Sequence, residues 1–217
     1  MTVVGIVPAA GRGERLGRPG PKAFAPCGGR PLLEWSLDVL GLVCDRVVVA
    51  VPEGYEDAPD RVRGGTSRSA SVHAALAVVP EATRVVVHDA ARPLVTPDLV
   101  RACLDALDDG EWDGAVAAAP VTDTVKEAGP GGRVLRTLER SALWAVQTPQ
   151  VFRAAALRAA LDVPEERLAR ATDDAGLVEA AGGRVRVVPA PPENLKVTRP
   201  VDLELVELLL AARRPMV

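Results

Sequence analysis

Five short apolar runs, interrupted only by His88 and Arg186, punctuate the chain at residues 3–7, 47–51, 85–88, 115–119 and 185–188. Runs of this length suit strands buried on both faces, as in the middle of a parallel sheet. Three of them stop at Pro52, Pro120 and Pro189, a residue that cannot donate to a sheet ladder. Between the runs the apolar positions take up a helical period. Leu32, Leu33, Trp35 and residues 37–40 follow Pro31, which predicts a helix with Pro31 at its first position. Residues 69–79 predict an alanine-rich helix that stops at Pro80. Residues 97–107 carry Leu99, Val100, Cys103, Leu104 and Leu107 on one face, with Thr96 as N-cap. Residues 154–161, 173–181 and 200–212 predict three more helices.

This alternation predicts an α/β fold: an open, mostly parallel, twisted sheet with helices on both faces, formed by residues 1–217 as a single domain. Ligands of such sheets sit beyond the carboxyl ends of the strands. One segment breaks the pattern. Residues 121–127 alternate, Gly129-Pro130-Gly131-Gly132 turns, and residues 133–138 are extended again, which is a hairpin signal. Projecting from a parallel domain, a hairpin leaves unpaired edges that a partner subunit would cover. The expectation is a homodimer built through an arm at about residues 121–140.

Composition narrows the function. Of the 217 residues, 48% are hydrophobic and 25% charged, as in ordinary globular proteins. The net charge of -3 gives no bulk basic field for nucleic acid. No stretch is long and apolar enough to predict a membrane span, and the N-terminus lacks a signal-peptide pattern. Cys27, Cys44 and Cys103 form no CxxC pair, and His73 and His88 are the only histidines. No zinc cluster is expected, and unpaired thiols suit the cytoplasm. Only Lys22, Lys126 and Lys196 break an otherwise arginine-based usage of basic residues, marking places suited to a compact point charge.

The chemistry begins where the first run ends. Residues 8–22, PAAGRGERLGRPGPK, carry four glycines and three prolines, with Arg12, Arg15, Arg18 and Lys22 set among them. A strand that ends in a glycine-rich basic loop offers backbone N–H groups and cations to phosphate; a plain turn remains the alternative on this loop alone. Two named phosphate motifs fail on spacing. Gly17 stands one residue late for the dinucleotide fingerprint after Gly11 and Gly13, and Lys22 lies between Pro21 and Ala23, unlike a P-loop lysine.

Four later stretches add to it. Gly64-Gly65-Thr66-Ser67-Arg68-Ser69-Ala70-Ser71 opens the alanine-rich helix with more hydroxyls than capping requires. His88-Asp89-Ala90-Ala91-Arg92-Pro93 follows the third run; Asp89 there can hold magnesium or orient a substrate, and Arg92 can pair with it or clamp an anion. Arg140, Trp144, Gln147, Thr148, Pro149 and Gln150 follow the hairpin, and Lys196 reads as one side of a late strand-like run. The cations Arg15, Lys22, Arg68, Arg92, Arg140 and Lys196, with no His/Ser or Cys/His pair, suit phosphoryl or nucleotidyl transfer.

Taken in order, PAAGRGERLG, GG-T-S-R, VHDAARP, APVTDTVK, LWAVQTPQ, TDD and NLKVTRP resemble the 2-C-methyl-D-erythritol 4-phosphate cytidylyltransferases, within the nucleotide-diphospho-sugar transferase-like folds. The resemblance implies transfer of CMP from CTP to that sugar-alcohol phosphate, with magnesium. It implies catalytic roles for Arg15, Lys22, Arg140 and Lys196. It places CTP at Ala9, Ala10, Gly11, Gly13, Gly65, Thr66, Arg68, Ser71, Asp89 and Ala90. The acceptor falls to Asp89, Arg92, Thr124, Arg140 and Thr148, with Thr124 and Arg140 arriving from a partner's arm. Asp89 is the one protein position for the metal, which the CTP phosphates would mainly hold. Thr66 stands where some relatives carry Asp. A ribitol-5-phosphate cytidylyltransferase and a non-catalytic nucleotide-binding domain are the alternatives.

Overall fold

The computed structural model describes residues 1–11, 13–17 and 20–213, so Arg12 and Arg18 of the opening loop lie outside the described residues. The five apolar runs supply five of the seven strands of one sheet. In chain order the seven are β1 (Val3–Pro8), β4 (Arg46–Val51), β5 (Arg61–Arg63), β6 (Arg84–Val87), β7 (Gly114–Pro120), β10 (Trp144–Arg153) and β11 (Val185–Pro189). Their spatial order is β11-β7-β10-β6-β1-β4-β5. Every neighbouring pair is parallel except those made by β10, which runs antiparallel to both β6 and β7.

Alternate residues of each strand enter two cores. Val4, Ile6, Val48, Ala50, Val85, Val87, Val116 and Phe152 pack on one face against α2 (Arg68–Ala77), α4 (Ala154–Leu161), α5 (Glu165–Arg170) and α6 (Asp174–Ala180). Val7, Val49, Val51, Val86, Ala115, Ala117 and Val151 pack on the other against α1 (Leu32–Gly41) and α3 (Pro97–Asp108). That double burial is why the runs carry no polar alternation. Each fully buried Val or Leu contributes about 1.5–3 kcal/mol. A third cluster joins the small hairpin β2 (Pro26–Cys27) and β3 (Arg30–Pro31) to the last helix, α7 (Pro200–Arg213), through Cys27, Leu32, Leu203, Val206 and Leu210.

The helix expectations held with small shifts of their ends. Thr96 caps α3 by accepting from the Leu99 amide at 3.3 Å. Pro31, expected at the first helical position, instead stands at the N-cap of α1 in extended conformation, because it also pairs in β3. The hairpin is present as β8 (Lys126–Ala128) and β9 (Val134–Thr137), a two-stranded sheet separate from the main one. Its Val134 and Leu135 are 54% and 59% exposed. The unread elements include the antiparallel strand β10, the edge strand β5, the small hairpin of β2 and β3, and the six-residue helix α5. Lys196, expected on a strand, lies in an irregular segment before α7. No helix among the described residues is long and apolar enough to cross a membrane.

Candidate active site

The segments that follow the carboxyl ends of β1, β5 and β6 open onto a cavity of about 390 Å³. Its floor is the loop after β1, tied down by the bond from the Ala9 amide to the Ala50 carbonyl at 2.7 Å. Gly13 has φ +67, and a side chain there would sit 2.3 Å from Lys22 Cβ; only glycine lets the loop turn this tightly around the lysine. On the far wall a Cβ at Gly65 would meet Ala70 at 2.6 Å. That close approach lets the Gly65 amide donate to Ser71 Oγ at 3.1 Å. Ser67 caps α2 through the Ala70 amide. Ser71 donates to the Ser67 carbonyl at 2.8 Å, so the hydroxyls shape this wall as a unit.

All ten residues expected around CTP line this cavity, together with Arg15, Lys22 and Lys196. Lys22 is strongly altered by its surroundings there. Burial, followed by repulsion from Lys196 and Arg15 and against the pull of Asp89, lowers its ammonium to about 8.

A second cavity of about 210 Å³ adjoins the first, with Arg68, Asp89 and Lys196 lining both. Arg92 and Thr148 line the second, as do Gln147, Gln150 and Asp173. Within the wall, Asp89 takes Arg68 on one oxygen at 2.9 Å and Lys196 on the other at 2.6 Å. Arg68 continues to the fully buried Asp174 at 2.5 Å. Burial alone would push the Asp89 carboxyl up; Arg68 and Lys196 overcome it and hold the group well below the usual carboxylate range. Arg92 does not pair with Asp89. It donates instead to the Asn194 carbonyl at 2.7 Å, which clamps the loop after β6 to the segment carrying Lys196.

Beneath these residues lies a neutral, fully buried network. His88 is 0% exposed, and burial lowers its imidazole to about 4. Its Nε2 faces the Arg92 carbonyl at 3.2 Å and so carries the proton; Nδ1 then accepts from Thr148 Oγ at 3.0 Å. Thr148 Oγ in turn accepts from the Asp89 amide at 3.0 Å. Asn194 donates to Gln147 Oε1 at 2.8 Å and to the Thr148 carbonyl at 2.9 Å. Two polar atoms on residues lining the second cavity, Arg92 Nε and Gln150 Oε1, are buried with no protein partner. An unmet donor and acceptor of this kind suit a ligand with both anionic and hydroxyl groups.

Thr124 and Arg140 line neither cavity; Arg140 donates to the Thr122 carbonyl at 2.6 Å, at the base of the hairpin. Asp89 does not fit magnesium, because both its oxygens already hold cations, and no group of three His, Cys, Asp or Glu among the described residues could hold a metal. Asp174, Asn194 and Gln150 were not singled out for roles of their own. The only signal for them was their presence in the quoted TDD, NLKVTRP and QTPQ stretches.

A family model described as IspD, 2-C-methyl-D-erythritol 4-phosphate cytidylyltransferase, matches residues 3–212. The chain belongs to that family. A cytidylyltransferase of this name from Nocardia farcinica is 47% identical over 98% of this chain and 95% of its own. Its counterpart from Frankia casuarinae is 46% identical over 98% and 83%. The crystal structure of the Thermus thermophilus family member superposes with a TM-score of 0.82 at 38% identity, covering 97% of this chain and all of that one. Like its cytidylyltransferase relatives, the chain is an enzyme of the nucleotidyltransferase class, and its mixed, mostly parallel sheet is the fold of the family.

Proposed function

We propose that the protein transfers CMP from CTP to 2-C-methyl-D-erythritol 4-phosphate, releasing pyrophosphate and the cytidine-diphosphate product used for isoprenoid precursors. The observation that carries this reading is the pair of adjoining cavities that share Arg68, Asp89 and Lys196. The larger takes CTP, with Arg15 and Lys22 on its triphosphate. The smaller takes the acceptor, with its phosphate toward Lys196 and Arg92. A phosphate oxygen of the acceptor attacks the α-phosphorus in line. The new P–O bond forms as the bond to the β-phosphate bridge breaks, and the electron pair leaves with pyrophosphate. An already anionic nucleophile needs no strong base, so the protein's work is positioning and charge neutralisation.

Magnesium, implied by the family resemblance, is proposed as a companion of the triphosphate and not as a resident of the protein. The whole chain acts as one domain and pairs as a homodimer, with residues 121–140 as the arm that carries Thr124 and Arg140 to the partner's acceptor cavity. The exposed Val134 and Leu135 support a partnered arm. Three cysteines without disulfides are consistent with action in the cytoplasm.

The test is pyrophosphate release from CTP and magnesium, with methylerythritol 4-phosphate and ribitol 5-phosphate supplied separately. Release with the first alone is expected. Release with ribitol 5-phosphate alone would overturn the acceptor, and release with neither would overturn transfer.

A further inference from the structure

The CTP cavity is chemically divided. Arg15, Lys22 and Lys196 supply cations to it, Arg68 is matched by Asp89 and Asp174, and the uncharged Gly65, Thr66 and Ser71 supply another part. A triphosphate belongs with the cations, which leaves the neutral wall to the base. On that wall Thr66 makes one side-chain bond, and its partner comes from far along the chain: Thr66 Oγ1 donates to Glu165 Oε1. Glu165 is the first residue of α5. Leu168, 4% exposed, fixes α5 in the same core cluster as Val72, Ala75 and Leu76 of α2. The carboxylate is therefore carried to the rim of the cavity by packed elements.

The consequence lies in what remains of the Thr66 hydroxyl. A free hydroxyl can donate or accept, whereas an ionised carboxylate can only accept. With its proton held by Glu165, Thr66 Oγ presents only lone pairs. A pyrimidine bearing an amino group can donate to it; a pyrimidine bearing a carbonyl at that place meets lone pairs with lone pairs. Cytosine and uracil differ in this respect at C4. We propose that Glu165, acting through Thr66, sets the selectivity of the site for the amino-bearing pyrimidine. The proposal rests on the CTP reading above and adds a specificity-determining residue to it. An alternative reason for Glu165, favourable charge at the start of a helix, would leave base choice untouched.

The experiment measures CTP and UTP affinities by calorimetry, with pyrophosphate release recorded alongside, on the unaltered protein, Glu165→Ala, Glu165→Gln, Thr66→Val and the Thr66→Val/Glu165→Ala double variant. The expected result is a CTP-over-UTP binding ratio that falls roughly tenfold in Glu165→Ala. Glu165→Gln should recover part of it, since the amide oxygen still accepts. In the Thr66→Val background, loss of Glu165 should change the ratio no further. A ratio that stays within about twofold in Glu165→Ala, or two losses that simply add, would overturn the proposal. Because the ratio is read from binding, it decides Glu165 even if the protein binds CTP and fails to turn it over, a result that would overturn transfer instead.

Discussion

Lys196 Nζ lies 2.6 Å from Asp89 Oδ2, in the wall between the two cavities. Arg68 occupies the other oxygen of Asp89, so one buried carboxylate orients two cations. Asp89→Asn should release Lys196, leave Arg68 with Asp174 alone and cost about 3–5 kcal/mol, as breaking a buried pair does. The folded carboxyl lies well below its ordinary value, so its contribution is fully present above the unfolded value of about 4 and is lost as pH falls below it. Calorimetric unfolding should show a wide gap between the two proteins at pH 7 that narrows toward pH 3. An equal gap at both would contradict the assignment.

Lys22 should take up a proton when CTP binds. Its ammonium, lowered to about 8 in the unliganded site, is mostly neutral at pH 8.5, and the arriving triphosphate favours the charged form. Calorimetry in buffers of different ionisation enthalpy should then report uptake of about three quarters of a proton at pH 8.5 and little at pH 6.5. Lys22→Arg, charged throughout, should abolish the uptake. Lys22→Ala should lower kcat by about 10²–10³ if it removes one electrostatic contact to the transition state. Near-normal turnover in that variant would exclude Lys22 from the chemistry.

Asn194, only 1% exposed, holds Arg92 through its backbone carbonyl and β10 through its side-chain amide. Asn194→Ala should cost about 1–3 kcal/mol of stability, because it leaves the Gln147 side chain and Thr148 carbonyl unmet. Its kinetic signature should be selective: KM for the acceptor rises several-fold while KM for CTP stays near normal, since Gln147 and Thr148, which the lost amide held, line only the second cavity. Equal effects on both substrates would reduce Asn194 to a structural role.

The runs at residues 3–7 and 85–88 were legible as strands because both faces of each are buried in apolar surroundings, and the alternation of helices followed from them. β10 was not, because the residues that make it functional disguise it. Gln147, Thr148, Pro149 and Gln150 interrupt its apolar pattern. They are buried nonetheless: Asn194, His88 and Asp173 bond to the Gln147, Thr148 and Gln150 side chains, with Gln150 Oε1 left unmet. The lining of the larger cavity was readable because a contiguous loop and the start of one helix supply most of it. Pairings were not: Asp89 binds Arg68 and Lys196, 21 residues before it and 107 after, where sequence proximity had favoured Arg92 as one option. Glu165 carries no local signal at all, since its partner Thr66 is 99 residues away.

Arg140 offers the sharpest test of the arm. In its own subunit it bonds the Thr122 carbonyl and lines neither cavity, so a catalytic part requires delivery to another subunit. Lys22→Ala and Arg140→Ala should each be nearly inactive alone. Mixed and exchanged in equal amounts, half of the dimers pair one of each, and in these one of the two sites receives both an intact Lys22 and an intact Arg140. Activity should recover to about a quarter of the unaltered protein, the value expected for a two-fold symmetric dimer with shared sites. Mixing without recovery, in subunits shown to exchange, would place Arg140 outside the partner's site and leave the hairpin without a catalytic role. Deleting residues 126–137 should convert the dimer to monomers in sedimentation if the exposed Val134 and Leu135 form the contact; a shortened protein that still sediments as a dimer would move the interface elsewhere.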